Sequence, residues 1–197
     1  WPAWSFLDIH ETIEMSVQAN KDFLNEIGLY YEQKGQVPTS YKVARKTAFL
    51  ETSNLNSAFQ RMAQEPKSKQ KHLDKIYELV ELNHTFLSSL ASLSTYIQNH
   101  PTTEASEMFK EATHKIDNYL SLVLKTLQKE VPEELAHLVQ KALSENEQLI
   151  NDMTFLDPKD KHLERQYQEF HLVWEQLQWL YAISRNMLKI TSSIKIN

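Results

Sequence analysis

The sequence predicts an all-α protein, and three observations support this prediction. The 197 residues include only two glycines, Gly28 and Gly35, whereas sheets, barrels and nucleotide-binding loops depend on glycine for tight turns. Six prolines divide the chain into long segments, and in each segment apolar residues recur every three or four positions, the period of an amphipathic helix. Because long helices with short connections pack antiparallel, we expect an elongated up-and-down antiparallel bundle of five or six helices.

The prolines also set the expected ends of the helices. We predict helices over about 4–33, 40–64, 68–99, 103–129, 133–150 and 160–190, within a single domain that covers 1–197. Gly35 is suited to the left-handed residue that ends the first helix. Thr39 or Ser40 is expected to cap the second helix with its hydroxyl group, and residues 191–197 are expected to fray.

The apolar stripe of each predicted helix identifies its buried side. In three of the helices the stripe selects Tyr41, Ala44, Ala48, Leu55, Phe59 and Met62; Phe109, Ala112, Ile116, Tyr119, Leu120, Val123 and Leu127; and Leu135, Leu138, Val139, Ala142, Leu143 and Leu149. A compact fold of this size removes roughly 70% of the unfolded chain's surface from water. The stripes are therefore sufficient to form a substantial core.

Composition excludes several classes of protein. A nucleic-acid-binding protein normally carries a basic stripe, whereas this chain has a formal net charge of −5. Its densest basic stretch, Lys67, Lys69, Lys71 and His72, follows a proline and is typical of a solvated helix start. There is no cysteine, no Gly-x-Ser-x-Gly turn and no phosphate-binding glycine motif. We predict a protein that is not an enzyme, needs no cofactor and does not bind nucleic acid.

The first residues of the chain suggest a neighbouring membrane. No apolar run reaches the roughly 20 residues needed to cross a bilayer. However, Trp1, Trp4 and Phe6 are aromatic, which is typical of a segment at a membrane interface. We therefore expect a fragment that begins just past a transmembrane helix. A helix start with Pro2 in its first turn and aromatic side chains in the core explains the same residues equally well.

A Glu-x-x-His spacing occurs three times, in Glu81-His84, Glu111-His114 and Glu134-His137. On two helices of a four-helix bundle, with a Glu from each of the other two, this spacing builds a di-iron carboxylate site. His84 lies along an apolar stripe and can point inward, whereas His114 and His137 fall beside their stripes and should face solvent. The pattern favours a core or boundary position for His84 over a metal site.

Two other sets of residues are candidates for ligand binding. The last helix contains the aromatic residues Tyr167, Phe170, Trp174, Trp179 and Tyr181. They can line a pocket, although a helix core explains aromatic residues at this spacing more simply. The arginines are Arg45, Arg61, Arg165 and Arg185, and each can hold either a carboxylate ligand or an intramolecular Glu.

One stretch is more specific than periodicity. Residues 41–50 (YKVARKTAFL), 54–62 (NLNSAFQRM) and 65–67 (EPK) resemble the soluble domain of the fusaric acid resistance (FUSC) family of bacterial inner-membrane proteins, in its YccS-like branch. The residues that match the pattern of the family are Tyr41, Ala44, Arg45, Lys46, Arg61, Glu65 and Pro66. The resemblance covers 1–97 well, the last helix weakly and the middle of the chain hardly at all.

The resemblance implies a helical domain on the cytoplasmic face of the inner membrane. Its partner is the transmembrane part of the same polypeptide, in proteins of the type that exports organic or aromatic acids. It supplies no catalytic residues, and we expect Arg45 and Glu65 to make helix-pairing contacts, with regulation or substrate handling as the alternative. The main hypothesis is an accessory domain for assembly, which can form homo-oligomers. A module that senses a small organic acid is the alternative, and a di-metal carboxylate bundle is the third hypothesis.

Overall fold

The computed structural model of the chain describes residues 4–33, 35–99, 107–128, 132–144 and 161–194. Within these ranges it contains six α-helices and no β-strand. The helices are α1 (Trp4–Gln33), α2 (Thr39–Ala63), α3 (Leu73–Asn99), α4 (Glu107–Thr126), α5 (Glu133–Ser144) and α6 (Lys161–Ser193). The predicted all-α bundle is confirmed.

Four of the helices form a central bundle, and one helix is added on each side of it. α1 packs against α3 and α4, and α6 packs against the same two helices, so that α1, α3, α6 and α4 form a closed ring. α2 packs on the edge of this ring formed by α1 and α3. α5 packs on the opposite edge, formed by α4 and α6.

Side-chain contacts give the direction of the helices. Ser16 lies beside Thr52 and Phe23 lies beside Tyr41, so α1 and α2 are antiparallel. Corresponding contacts make α3 antiparallel to α2 and α4 antiparallel to α1, as an up-and-down bundle requires. Two pairs that are neighbours in the ring, α1 with α3 and α4 with α6, are nevertheless parallel. The reason is that one outer helix separates the two members of each pair in the sequence. α2 follows α1 and precedes α3, and α5 follows α4 and precedes α6, so the chain reverses direction twice within each pair.

α2 is attached to the ring by a seam of residues spaced seven apart. These residues are Tyr41, Ala48, Leu55 and Met62, and each is at most 2% exposed. A spacing of seven returns to nearly the same side of a helix, so the four side chains point towards α1 and α3 together. Their predicted burial is confirmed, while Ala44 and Phe59 are half-buried at the edges of the seam.

A buried hydrogen-bond network joins α1, α2 and α3. Asn83 of α3 donates from Nδ2 to Ser16 Oγ at 2.6 Å and to Thr52 Oγ1 at 3.2 Å. Asn20 of α1 donates to Asn83 Oδ1 at 2.9 Å. All four residues are at most 5% exposed. Because water does not reach them, these polar groups depend on one another for hydrogen bonds.

The beginning of α2 differs from the sequence prediction. Gly35 does not adopt a positive φ, and the described residue that does is His72, at 53°. α2 begins at Thr39 without a side-chain cap. The hydroxyl of Ser40 instead donates to the carboxylate of Glu26 at 2.8 Å, which ties the start of α2 to α1.

Two other boundaries also differ, and several predicted ends cannot be compared because they lie outside the described ranges. α3 begins at Leu73 rather than at 68, because a short 3₁₀ turn (Lys67–Lys69) follows Pro66. α4 begins at Glu107, and the predicted helical residues 103–106, 129 and 145–150 lie outside the described ranges. The expectation of a fraying tail is wrong up to residue 194. α6 continues to Ser193, and Thr191 is buried and accepts a hydrogen bond from Thr126 at 3.0 Å.

The predicted stripe of α4 is confirmed in full, since every residue from Phe109 to Leu127 named for it is buried. α5 is less regular. Leu135 and Val139 are buried, whereas Leu138 is 54% exposed, so its expected burial is wrong. α5 lies on the surface of the ring, and its buried side is therefore narrower than its sequence pattern.

The Asn83 network yields a stability prediction. Asn83→Ala should lower the free energy of unfolding by about 2–3 kcal/mol, because the buried amide of Asn20 loses its side-chain partner and the hydroxyls of Ser16 and Thr52, which still bond each other, lose the amide donor that they share. The matched control is the adjacent, exposed His84, for which His84→Ala should change stability by less than about 0.5 kcal/mol. Urea unfolding followed by circular dichroism measures both. Equal effects of the two substitutions would contradict the role given to the network.

Candidate functional site: a basic groove on α2

An open groove of about 580 Å³ lies between the first half of α2 and the end of α3. Its lining residues are Val37, Tyr41, Lys42, Arg45, Lys46, Phe49 and Gln98. Three of them, Tyr41, Arg45 and Lys46, are residues that match the family pattern. Ala44 lies on the same turn of α2 and is half-buried beneath them. Three of the four residues of 41–50 that carry the resemblance therefore line one surface feature, which we call the basic groove.

Tyr41 forms the floor of the basic groove and anchors α2 to α3. Its phenol shares a hydrogen bond with the hydroxyl of Ser94 and accepts another from Gln98 Nε2 at 2.8 Å. Its ring also packs against Tyr30 of α1, with ring centroids 5.5 Å apart. Burial raises the pKa of Tyr41 above its ordinary value of 10, and the hydrogen bonds to Ser94 and Gln98 oppose this effect. The phenol is therefore neutral at physiological pH.

Three cations, Lys42, Arg45 and Lys46, form the rim of the groove and are all exposed. The guanidinium of Arg45 lies over the ring of Phe49, 5.5 Å from its centroid, in a cation–π arrangement. None of the three forms an ion pair with a carboxylate in the part of the chain that the structure describes. Cations beside an aromatic ring can bind an anionic group that is attached to an apolar or planar body.

Sequence reasoning identified only part of this groove. Lys42, Arg45 and Lys46 follow the i, i+3, i+4 spacing that places side chains next to one another on a helix. That spacing could have predicted that Lys42 belongs with Arg45 and Lys46 in one cluster of cations. Gln98 belongs to α3 and is 57 residues away from Tyr41 in the sequence. Only the packing of α3 against α2 brings it to the groove.

The other residues that carry the resemblance, Arg61, Glu65 and Pro66, lie at the opposite end of α2 or just after it. Arg61 is exposed in the last turn. Glu65 and Pro66 follow the helix, and the backbone carbonyl of Glu65 accepts a hydrogen bond from the Gln70 side chain at 2.7 Å. About 20 residues of mostly helical chain, roughly 30 Å, separate Arg45 from Glu65. Arg45 contacts Phe49 in its own helix, so the structure does not bring these two motif residues together.

The Glu-x-x-His pairs do not converge. His84, His114 and His137 lie on three different helices and are all exposed, as are the glutamates that precede them. The inward orientation considered for His84 is therefore wrong, since the neighbouring Asn83 occupies that buried position. Among the described residues, no group of three or more His, Asp or Glu side chains could hold a metal ion.

The aromatic residues of α6 do not form one cluster either. Trp174 is buried and Trp179 is 53% exposed, so the two rings point in different directions. Tyr181 packs edge-on against Tyr119, with centroids 5.2 Å apart, as part of the core. Arg185 donates to the backbone carbonyl of Leu143 at 2.6 Å, which fastens α5 to α6. The side chains of Tyr167, Phe170 and Arg165 lie outside the described residues.

The chain is similar to an inner membrane protein. It is 27% identical over 120 residues to inner membrane protein YccS of Escherichia coli K12, a match that covers 61% of this chain and 17% of YccS. It is also 18% identical over 193 residues to an uncharacterized protein of Haemophilus influenzae, covering 98% of this chain and 27% of that protein. The chain thus spans only a minor part of these relatives. No family model matches it, and no solved structure does.

Tyr41 gives a prediction with two parts. Tyr41→Phe should lower the free energy of unfolding by about 1–2 kcal/mol at neutral pH, because the hydrogen bonds to Ser94 and Gln98 are lost. The raised pKa of Tyr41 adds a stability contribution that is fully present below the unfolded value of 10 and is lost as the pH rises above it. Part of the alkaline loss of stability should therefore be missing in Tyr41→Phe.

Urea unfolding at neutral pH and at about pH 11 measures both parts. Tyr77→Phe is the control, because Tyr77 is 51% exposed and should change stability little at either pH. A Tyr41→Phe variant that is as stable as the control would refute the anchoring role of Tyr41.

Proposed function

We propose that this chain is a non-catalytic accessory domain of an inner-membrane transporter. In this proposal it lies on the cytoplasmic face and belongs to a protein of the fusaric acid resistance type, which exports organic or aromatic acids. The observation that carries the proposal is the similarity to YccS, of which this chain corresponds to only 17%. None of the described helices combines the length and the apolar character that crossing a membrane requires. Attachment to a separate transmembrane part is consistent with both findings.

The role that we propose for the domain is assembly. Leu172 and Trp179 are spaced seven apart on α6, and both are about half exposed, at 51% and 53%. An i, i+7 pair lies on one side of a helix, so the two side chains form a strip on the outside of the ring, with Glu175 and Gln176 on the turn between them. Such a strip is suited to contact with another helix, either from the transmembrane part or from a second copy.

The location of the domain can be tested in cells that produce the full-length protein. We expect it in the inner-membrane fraction, with an epitope in this chain that protease reaches in inverted vesicles but not in intact spheroplasts. A periplasmic epitope inserted in another part of the protein is the control for intact spheroplasts. A reading frame without apolar segments upstream of Trp1, or a protein in the soluble fraction, would refute the transporter proposal.

A second function, sensing of a small organic acid, is favoured by the basic groove. Arg45 provides a planar donor for a carboxylate, and Phe49 provides an apolar surface next to it. Lys42 and Lys46 add positive charge on the same rim. In this alternative, binding of the acid in the groove would report the cytoplasmic concentration of a substrate to the transmembrane part.

Calorimetry with benzoate tests the sensing alternative. Arg45→Gln should weaken binding by about 10- to 100-fold, because it removes a charge-assisted hydrogen bond. Arg61→Gln is the matched control, since it removes the same charge from the same helix outside the groove. Absence of benzoate binding to the unmodified chain, or equal weakening by both substitutions, would eliminate the groove as a carboxylate sensor.

A further inference from the structure

We propose that the outward face of α2 docks on the surface of an anionic lipid bilayer. The docking face consists of the cations Lys42, Arg45 and Lys46 and the apolar residues Val43, Phe49 and Leu50. This inference rests on the proposed function, because attachment to an inner-membrane protein keeps the chain close to such a surface. It adds a contact between the domain and the lipid itself.

Charge is distributed unevenly between α2 and the rest of the chain. α2 contains four cationic side chains and a single carboxylate, Glu51, and therefore has a net charge of +3. The whole chain has a net charge of −5, so the remaining residues together carry −8. A negatively charged protein will approach an anionic surface only through its positive side. That side is α2.

The docking face also exposes apolar side chains. Val43 is 58% exposed, Phe49 46% and Leu50 53%. Val43 and Leu50 are seven residues apart and lie on the side of α2 opposite to the seam of Tyr41 and Ala48. A helix side that combines lysine and arginine with exposed aromatic and aliphatic side chains is typical of an interfacial surface. Its cations contact lipid headgroups, and its apolar groups enter the acyl boundary.

The cations are available for this contact. Within the described residues none of the three is paired with a carboxylate, and the contact of Arg45 is with the ring of Phe49. Binding to phosphate groups therefore does not require an intramolecular ion pair to be broken. Each cation near an anionic membrane raises the affinity about fivefold, so three together contribute roughly 100-fold.

The shape of the basic groove favours a broad surface over a small ligand. Small-molecule sites bury most of their ligand, whereas five of the seven residues that line this groove are exposed, and it is open to solvent. Val43 and Leu50 lie outside the groove, on the outward side of α2 next to its cationic rim. A ligand bound in the groove would leave both of them in water, whereas a bilayer covers them together with the cations.

Vesicle flotation with the 197-residue chain tests the proposal. We expect binding to vesicles of equal parts phosphatidylglycerol and phosphatidylcholine, weakening as salt is added, and no binding to phosphatidylcholine alone. The triple variant Lys42→Gln, Arg45→Gln, Lys46→Gln should bind about 100-fold more weakly. The control triple variant Lys67→Gln, Lys69→Gln, Lys71→Gln removes the same charge from the other basic stretch and should bind like the unmodified chain.

Insertion of the apolar side chains requires a separate measurement. Because the chain has no cysteine, Leu50→Cys can be labelled at one site with an environment-sensitive dye. Its fluorescence should increase and shift to the blue on binding anionic vesicles. Leu138→Cys on α5 is the matched control, since Leu138 is 54% exposed, nearly as Leu50 is, and α5 packs on the opposite edge of the ring. Its label should not respond.

Three results would overturn the docking proposal. They are the absence of binding to anionic vesicles, equal weakening by the two triple variants, and equal responses of the two dyes. Binding of benzoate or of an acidic peptide that depends on Lys42, Arg45 and Lys46, without binding to vesicles, would assign the face to a soluble anion instead. The two proposals can also fail independently. If the chain binds anionic vesicles but the full reading frame encodes no membrane-spanning segment, docking is supported and the transporter function is refuted.

Discussion

The arrangement of this protein depends on the buried hydrogen bonds of Asn83. This side chain lies where α1, α2 and α3 meet, and it bonds Ser16, Thr52 and Asn20 at the same time. A buried polar group that loses its partner costs more than a typical apolar contact contributes. Sliding α2 by one turn, or rotating it, would separate Thr52 from Asn83. The network therefore selects one position of α2 among several that the apolar seam alone would allow.

The position of α2 in turn determines the chemistry of the surface. With Thr52 held at Asn83, the seam that begins at Tyr41 faces inward and the side that contains Val43 and Leu50 faces outward. The three cations at the start of α2 then meet the end of α3, where Gln98 bonds Tyr41 and completes the basic groove. Internal hydrogen bonds and external charge are thus linked through the orientation of a single helix.

The two outer faces are suited to different partners. The strip of Leu172 and Trp179 on α6 has two exposed apolar side chains and is suited to another helix, whereas the docking face of α2 combines positive charge with apolar groups and is suited to a lipid surface. The first face lies on the outside of the ring, and the second lies on the helix that packs against the edge of the ring. In the proposed function such a domain acts through these contacts, and the similarity to a short part of a larger inner membrane protein supports that proposal.

The sequence by itself determined the helices and most of the core, because apolar periodicity is a local property. Every residue predicted for the α4 stripe is buried, and the α2 seam was predicted at four positions. Which polar residues are buried was decided by tertiary structure. Asn83 is inside and His84 outside because Ser16 and Thr52, far away in the sequence, provide partners for an amide. Likewise, Gln98 reaches the groove only because α3 packs beside α2 in one particular register, which no local pattern encodes.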